Sequence, residues 1–182
     1  GINDPTTAMQ ALDRIETVFF ALGSKALPRR VQRRTVNDRE VLVRIGHPTF
    51  DDLVGLTFDQ VRRAAFSTGQ VAVLERLLEV LDGAIRANDI PERQSALWDR
   101  AFAVARLAPE QIPDPRDATN LMLRAVEMVP GLSLKERVAV DGDLDRLVSL
   151  SKELEGGAKI RDAVEAVRRQ LEPGSVQAGS PS

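Results

Sequence analysis

His47 is the one side chain of this 182-residue sequence whose ordinary pKa lies near neutrality. It stands just before Pro48 and the acidic pair Asp51-Asp52, an order that would suit a His–Asp proton relay or a pH sensor. No nucleophile or oxyanion loop accompanies it, so the plainer expectation is a loop histidine beside a helix cap. Asn3, Asp4, Thr6 and Thr7 gather polar groups at the start of an amphipathic segment, where free N–H groups and hydroxyls could receive an anion. Asp4 is itself an anion at that place and competes with any ligand as a cap. Asp59, Gln60, Arg62 and Arg63 form a third polar group. Asp59 precedes the two arginines by three and four residues, the spacing of ion pairs along a helix. The functional alternative is a binding site that joins Asn3, Asp4, Thr6 and Thr7 to Asp59, Gln60 and Arg63. Asp141-Gly142-Asp143 with Asp145 has a passing likeness to a calcium loop. An EF-hand needs glycine at its sixth position and glutamate at its twelfth, and here those positions hold Arg146 and Lys152.

Composition narrows the chemistry further. The sequence has no cysteine, which removes disulfides, thiolate zinc sites, iron–sulfur clusters and a cysteine nucleophile. One histidine removes any metal site that needs two. We therefore expect no catalytic residue, no metal site and no cofactor, and the enzyme question leans to no. The formal charge is −2 but it is unevenly spread. Lys25, Arg29, Arg30, Arg33, Arg34, Arg39 and Arg44, against Asp38 and Glu40, give the stretch 25–44 a charge of +5 and leave −7 on the rest. Arg29, Arg30, Arg33 and Arg34 are the candidate contacts to an anionic surface, with lipid headgroups the first choice. No aromatic residue is interleaved with them and no basic recognition helix follows, so nucleic acid is disfavoured as a partner.

The elements that must position these groups are mostly helical. Ala8, Leu12, Ile15, Phe19 and Leu22 are spaced by four and three residues, the stripe of an amphipathic helix opened by Asp4-Pro5. Val31, Thr35 and Val36, then Val41, Val43 and Ile45, flank Asn37-Asp38 and predict a β-hairpin near residues 31–45. Thr49, with Asp52 three residues on, opens a helix with the stripe Phe50, Val54, Phe58, Val61 and Ala65. Further stripes run through Leu74, Leu77, Leu78, Leu81 and Ile85, then through Leu97, Trp98, Ala101, Phe102, Val104 and Ala105. Pro109, Pro113 and Pro115 predict a stiff connection. Leu121, Ala125 and Met128 carry the next stripe. Residues 133–154 predict one or two helices broken near Asp141-Gly142-Asp143. Gly156-Gly157 predicts a hinge, Ile160, Val164, Val167 and Leu171 a last stripe, and 173–182 a disordered tail. The expected fold is mainly α, a multi-helix bundle-like domain with one small hairpin.

Gly1-Ile2-Asn3-Asp4-Pro5-Thr6-Thr7-Ala8, with Gln10-Ala11-Leu12-Asp13-Arg14, and Pro48-Thr49-Phe50-Asp51-Asp52-Leu53, with Phe58-Asp59-Gln60-Val61-Arg62-Arg63, carry a resemblance. They resemble the soluble C-terminal region of an uncharacterised bacterial family of predicted membrane proteins. The likeness covers roughly residues 1–110, a helical domain with the hairpin. Residues 111–172 read as a lineage-specific helical extension packed on it. The family offers no activity and no functional residue to carry over. What the resemblance implies is a place: a soluble cytoplasmic segment held at the bacterial inner membrane by an N-terminal anchor. The chain starts at Gly1 and not at methionine, and it reads as a piece of such a protein. Its expected neighbours are the transmembrane segments of its own full-length chain, and an oligomer is left open. The leading functional expectation is a non-enzymatic domain for binding, assembly or regulation. The alternative is a ligand-binding or enzymatic domain around Asn3, Asp4, Asp59 and Arg63.

The donor inventory predicts that purified chain carries no stoichiometric zinc, because carboxylates alone suit harder cations. Elemental analysis after gel filtration checks this, and one tightly held zinc per chain would overturn it.

Overall fold

Asp4-Pro5 opens helix α1 (Pro5–Gly23), which buries Ala8, Leu12 and Phe19 along the expected stripe. The chain then turns away as strands β1 (Val31–Val36) and β2 (Arg39–Arg44), paired antiparallel from Val31 opposite Arg44 to Val36 opposite Arg39. Asn37 and Asp38 both take positive φ, 51° and 59°, which makes the two-residue turn type I′, the form that matches strand twist. Helix α2 (Phe50–Ser67) brings the chain back behind a capping box: Thr49 Oγ1 accepts the Asp52 N–H at 3.1 Å, and Asp52 Oδ2 accepts the Thr49 N–H at 2.8 Å. Then come α3 (Val71–Arg86), α4 (Pro91–Gln111), α5 (Pro115–Met128), a 3-10 turn over Val129–Gly131, α6 (Leu134–Ala139), α7 (Asp141–Leu150) and α8 (Gly157–Leu171). This computed structural model describes residues 4–23, 25–27, 31–44 and 46–171. The sequence expectations on Asn3, Arg29, Arg30, Ile45, the Leu171 side chain and 173–182 lie outside the described residues.

The fold is mainly α and bundle-like with one small antiparallel hairpin, as its stripes predict. Helix α3 is the axis. It packs against α1, α2, α4 and α5, and eight of its sixteen residues are buried. A helix with neighbours on several sides needs a wider apolar face than one stripe supplies, and Val73, Val80 and Ala84 provide it. Helix α5 packs on α3 and α4, and α8 packs on α5, so Leu121, Met122, Ile160 and Val164 share one core cluster with α1–α4.

Two expectations are corrected. The connection does not begin at Pro109, because α4 continues through it to Gln111. Proline there forfeits a single hydrogen bond, in the last turn, where the helix is about to stop. Gly156-Gly157 is a tight joint and not a hinge. Gly156 takes φ 93°, and a Cβ at Gly157 would collide with the Ser151 carbonyl.

The most consequential buried polar groups are adjacent, at the start of α4. Arg93 is 6% exposed. Its Nη1 donates to the carbonyls of Leu22 at 2.9 Å and Gly23 at 3.3 Å, and its Nη2 to that of Lys25 at 2.8 Å. A helix C-terminus presents carbonyls without partners and a partial negative charge, so a cation satisfies both needs. The same guanidinium lies 5.1 Å from the centre of the Phe50 ring. Gln94 serves α3 in the same way: Nε2 donates to Asn88 O at 2.7 Å, and Oε1 accepts the Ser133 N–H at 2.8 Å. Gly23 is required where α1 ends, since a Cβ there would stand 2.5 Å from the Ala87 carbonyl oxygen.

Arg93→Ala removes three charge-assisted hydrogen bonds and leaves buried carbonyls bare, so it should cost about 3 kcal/mol or more in urea unfolding. Arg93→Lys should recover part of that loss. A cost below about 1 kcal/mol for the alanine variant would refute the role given to Arg93.

Candidate functional site

The first expected site is the beginning of α1. Asp4 Oδ1 accepts the Thr6 N–H at 3.0 Å, and Oδ2 accepts the Thr7 N–H at 3.2 Å and the Thr7 hydroxyl at 2.7 Å. These bonds, the Thr7 hydroxyl first, hold the Asp4 carboxyl below its ordinary value of 3.8. The place an external anion would take is filled by the protein's own carboxylate. Thr6 and Thr7 are committed to that cap.

The second is α2, where the four polar residues diverge. Asp59 turns toward α4: its Oδ1 is 3.5 Å from Arg62 Nη2 and 3.8 Å from Arg100 Nε, and Arg100 Nη2 reaches Asp51 Oδ1 at 3.0 Å. Gln60, one residue on, lines a small cleft of about 230 Å³ with Ala8, Ala11 and Ala64, between α1 and α2. Arg63 is exposed and makes no ion pair among the described residues. A helix turns about 100° per residue, so neighbours in sequence face different partners. Among the described residues no hydrogen bond or ion pair joins Asp4, Thr6 or Thr7 to Asp59, Gln60 or Arg63. The i,i+3 pair with Arg62 forms, and the i,i+4 pair with Arg63 does not.

His47 leads back from the hairpin to α2. Its Nδ1 lies 3.2 Å from the Pro48 carbonyl oxygen. Nε2 is buried without a partner. Asp51 pairs with Arg100 and Asp52 closes the capping box, so neither forms the relay that the sequence order suggests.

The third expected site is the hairpin. Every one of its side chains that is described, from Val31 to Val43, is exposed. Residues opposite one another share a face. One face carries Val31, Arg33, Thr35, Glu40 and Leu42, with Arg33 Nη1 3.5 Å from Glu40 Oε1. The other carries Arg34, Val36, Arg39, Val41 and Val43 and no acid. Arg33 and Arg34 therefore cannot form one flat basic face together, because adjacent strand residues point to opposite sides. The sequence does not flag Arg93 or the pair of Trp98 Nε1 with Asp143 Oδ2, at 2.7 Å. Arg93 had a signal: it stands four residues before Leu97 and eight before Ala101, a charge on an apolar stripe. Among the described residues no cluster of acids and histidine could hold a metal ion, and no helix is long and apolar enough to cross a membrane.

A helical body from which a two-faced hairpin projects is the class of protein that these features define. Residues 1–83 match the model of a family described as predicted membrane protein (DUF2254). The match includes both stretches on which the resemblance rests, and it ends within α3, short of residue 110. Uncharacterized proteins of Mycobacterium bovis and Mycobacterium tuberculosis are each 29% identical over 131 residues, which is 70% of this chain and 24% of theirs. The chain thus spans about a quarter of the length of these curated relatives. A stretch of 131 residues cannot fit within 1–110, so likeness to these relatives extends into the segment read as a lineage-specific extension. No solved structure matches the chain.

Asp4→Ala should lower the urea midpoint at neutral pH. The folded carboxyl titrates below the unfolded value of 3.8, so its contribution is present above that pH and fades as the pH falls through the folded pKa. Urea midpoints of both chains from pH 7 downward check this. A gap between them that widens in acid would contradict the cap.

Proposed function

We propose that this chain is a non-enzymatic module of a bacterial inner-membrane protein. It lies on the cytoplasmic side, beside the transmembrane segments of its own full-length chain, and serves binding, assembly or regulation. Its hairpin is the part that meets anionic headgroups. The observation that carries this reading is the second hairpin face, where Val36, Val41 and Val43 stand exposed on the same side as Arg34 and Arg39. Aliphatic side chains flanked by arginines suit the boundary between acyl chains and headgroups, because arginine stems lie along apolar surface while their charged ends stay wet. Each cation near such a surface contributes about 1 kcal/mol. Two further points support it. The hairpin lies within the residues that match a family of predicted membrane proteins. The half-buried cations of the body, Arg62, Arg76 and Arg100, are engaged with its own carboxylates, which leaves little for bound substrate.

Co-sedimentation with vesicles tests this. The chain should pellet with phosphatidylglycerol vesicles and not with neutral ones. Binding should weaken as salt rises, since screening at ~0.15 M limits reach to about 8 Å. Replacing Arg34 and Arg39, the cations of that face, together by glutamine should release it. Equal binding to neutral vesicles, or indifference to the replacement, would sink the electrostatic account.

A further inference from the structure

Among the described residues the hairpin pairs with no third strand, so it presents two edges, and they differ in kind. The two-residue turn makes Val36 and Arg39 a hydrogen-bonded pair. Alternation from that pair turns the N–H and C=O of Arg39, Val41 and Val43 toward β1, and those of Glu40, Leu42 and Arg44 outward. On the other strand the outward groups belong to Val31, Arg33 and Thr35. A two-stranded ribbon with both faces exposed is marginal by itself, and a third and fourth strand are what stabilise such a ribbon.

A twofold axis pairs a strand with its own copy, so each edge can be tested against itself. On the β1 edge, registers centred on Arg33 or Arg34 set an arginine directly against its own copy, which is the usual protection of an exposed strand. The β2 edge has no such protection in its middle. Its outward groups allow registers centred on Val41, Leu42 or Val43. Centred on Val41, Glu40 meets Leu42. Centred on Val43, Leu42 meets Arg44. Centred on Leu42, Leu42 meets Leu42, Val41 meets Val43, and Glu40 meets Arg44 on both sides. That register matches apolar with apolar and opposite charge with opposite charge at every position from 40 to 44.

We propose that two copies of the chain join along their β2 edges, antiparallel about a twofold axis at Leu42, into one four-stranded sheet. The occupant of the edge is a second copy because the complementarity is of the strand with itself. Leu42 is 69% exposed in the single chain, and Val41 and Val43 are also exposed, so the edge is open to a partner. The proposal uses the edge of the hairpin and does not rest on the lipid reading, which uses a face.

Sedimentation velocity of the intact chain over a concentration series tests it. The expected result is a monomer–dimer equilibrium. Leu42→Lys sets like charges opposite each other across the axis and should weaken the dimer about tenfold or more. Its helical circular dichroism should be unchanged, since Leu42 is largely exposed and lies outside the core cluster. Glu40→Arg and Arg44→Glu should each weaken the dimer, and the two together should restore it, because the opposite-sign pair is then re-formed in reverse. Thr35→Lys, on the other edge, should leave it unchanged. A chain that stays monomeric throughout overturns the proposal. So does a dimer indifferent to Leu42→Lys, or one that the double exchange does not restore.

Discussion

The arrangement depends on one guanidinium placed under the end of a helix. Arg93 collects the carbonyls of Leu22, Gly23 and Lys25 and lies over Phe50, so it holds both the point where the chain leaves the body and the point where it returns. The partners are about 70 residues away in sequence, which makes this a tertiary bond and not a local cap. Gln94, beside it, ties the end of α3 to the start of α6. The first turn of α4 thus finishes two other helices. Removing either side chain would leave partly or fully buried carbonyls without their donors, which is why such groups are buried with their partners or not at all.

Charge elsewhere aligns helices that apolar packing has already brought together. Arg76 on α3 reaches Asp13 at 2.8 Å and Glu16 at 2.6 Å on α1. Arg124 on α5 reaches Glu79 on α3 at 2.9 Å, and Arg168 on α8 reaches Asp141 and Asp145 on α7 at 2.8 and 2.7 Å. Pairs at a surface add little stability one by one. Their effect here is on register: each fixes how far one helix slides along its neighbour. In the hairpin, Arg33 pairs with Glu40 of the neighbouring strand.

The helices were legible because a 3.6-residue period needs no knowledge of the neighbour. Leu74, Leu77, Leu78, Leu81 and Ile85 are buried wherever the rest of the chain goes. The hairpin was legible because β-branched residues flank Asn37-Asp38, a pair that accepts positive φ. Periodicity names a face and not what lies against it. Asp59 could not be assigned to Arg100, nor Gln60 to the cleft beside Ala8, because each pairing joins separate helices. The polar groups of α1 and α2 go to different partners: Asp4 caps its own helix, Asp59 meets Arg62 and Arg100, and Gln60 lines the cleft. Pro109 misled because a proline tolerated in a last turn looks the same in sequence as one that ends a helix.

Between Val31 and Val43 no described side chain joins the core, while Arg93 closes the excursion at its root. The length of that excursion enters the folding free energy chiefly as loop-closure entropy, and doubling it would add only about 0.6 kcal/mol. The helices therefore place almost no selective pressure on how long the arm is or what it carries. Insertions, deletions and exchanges at this position are nearly silent for the body, so the arm can evolve at the pace of whatever it touches.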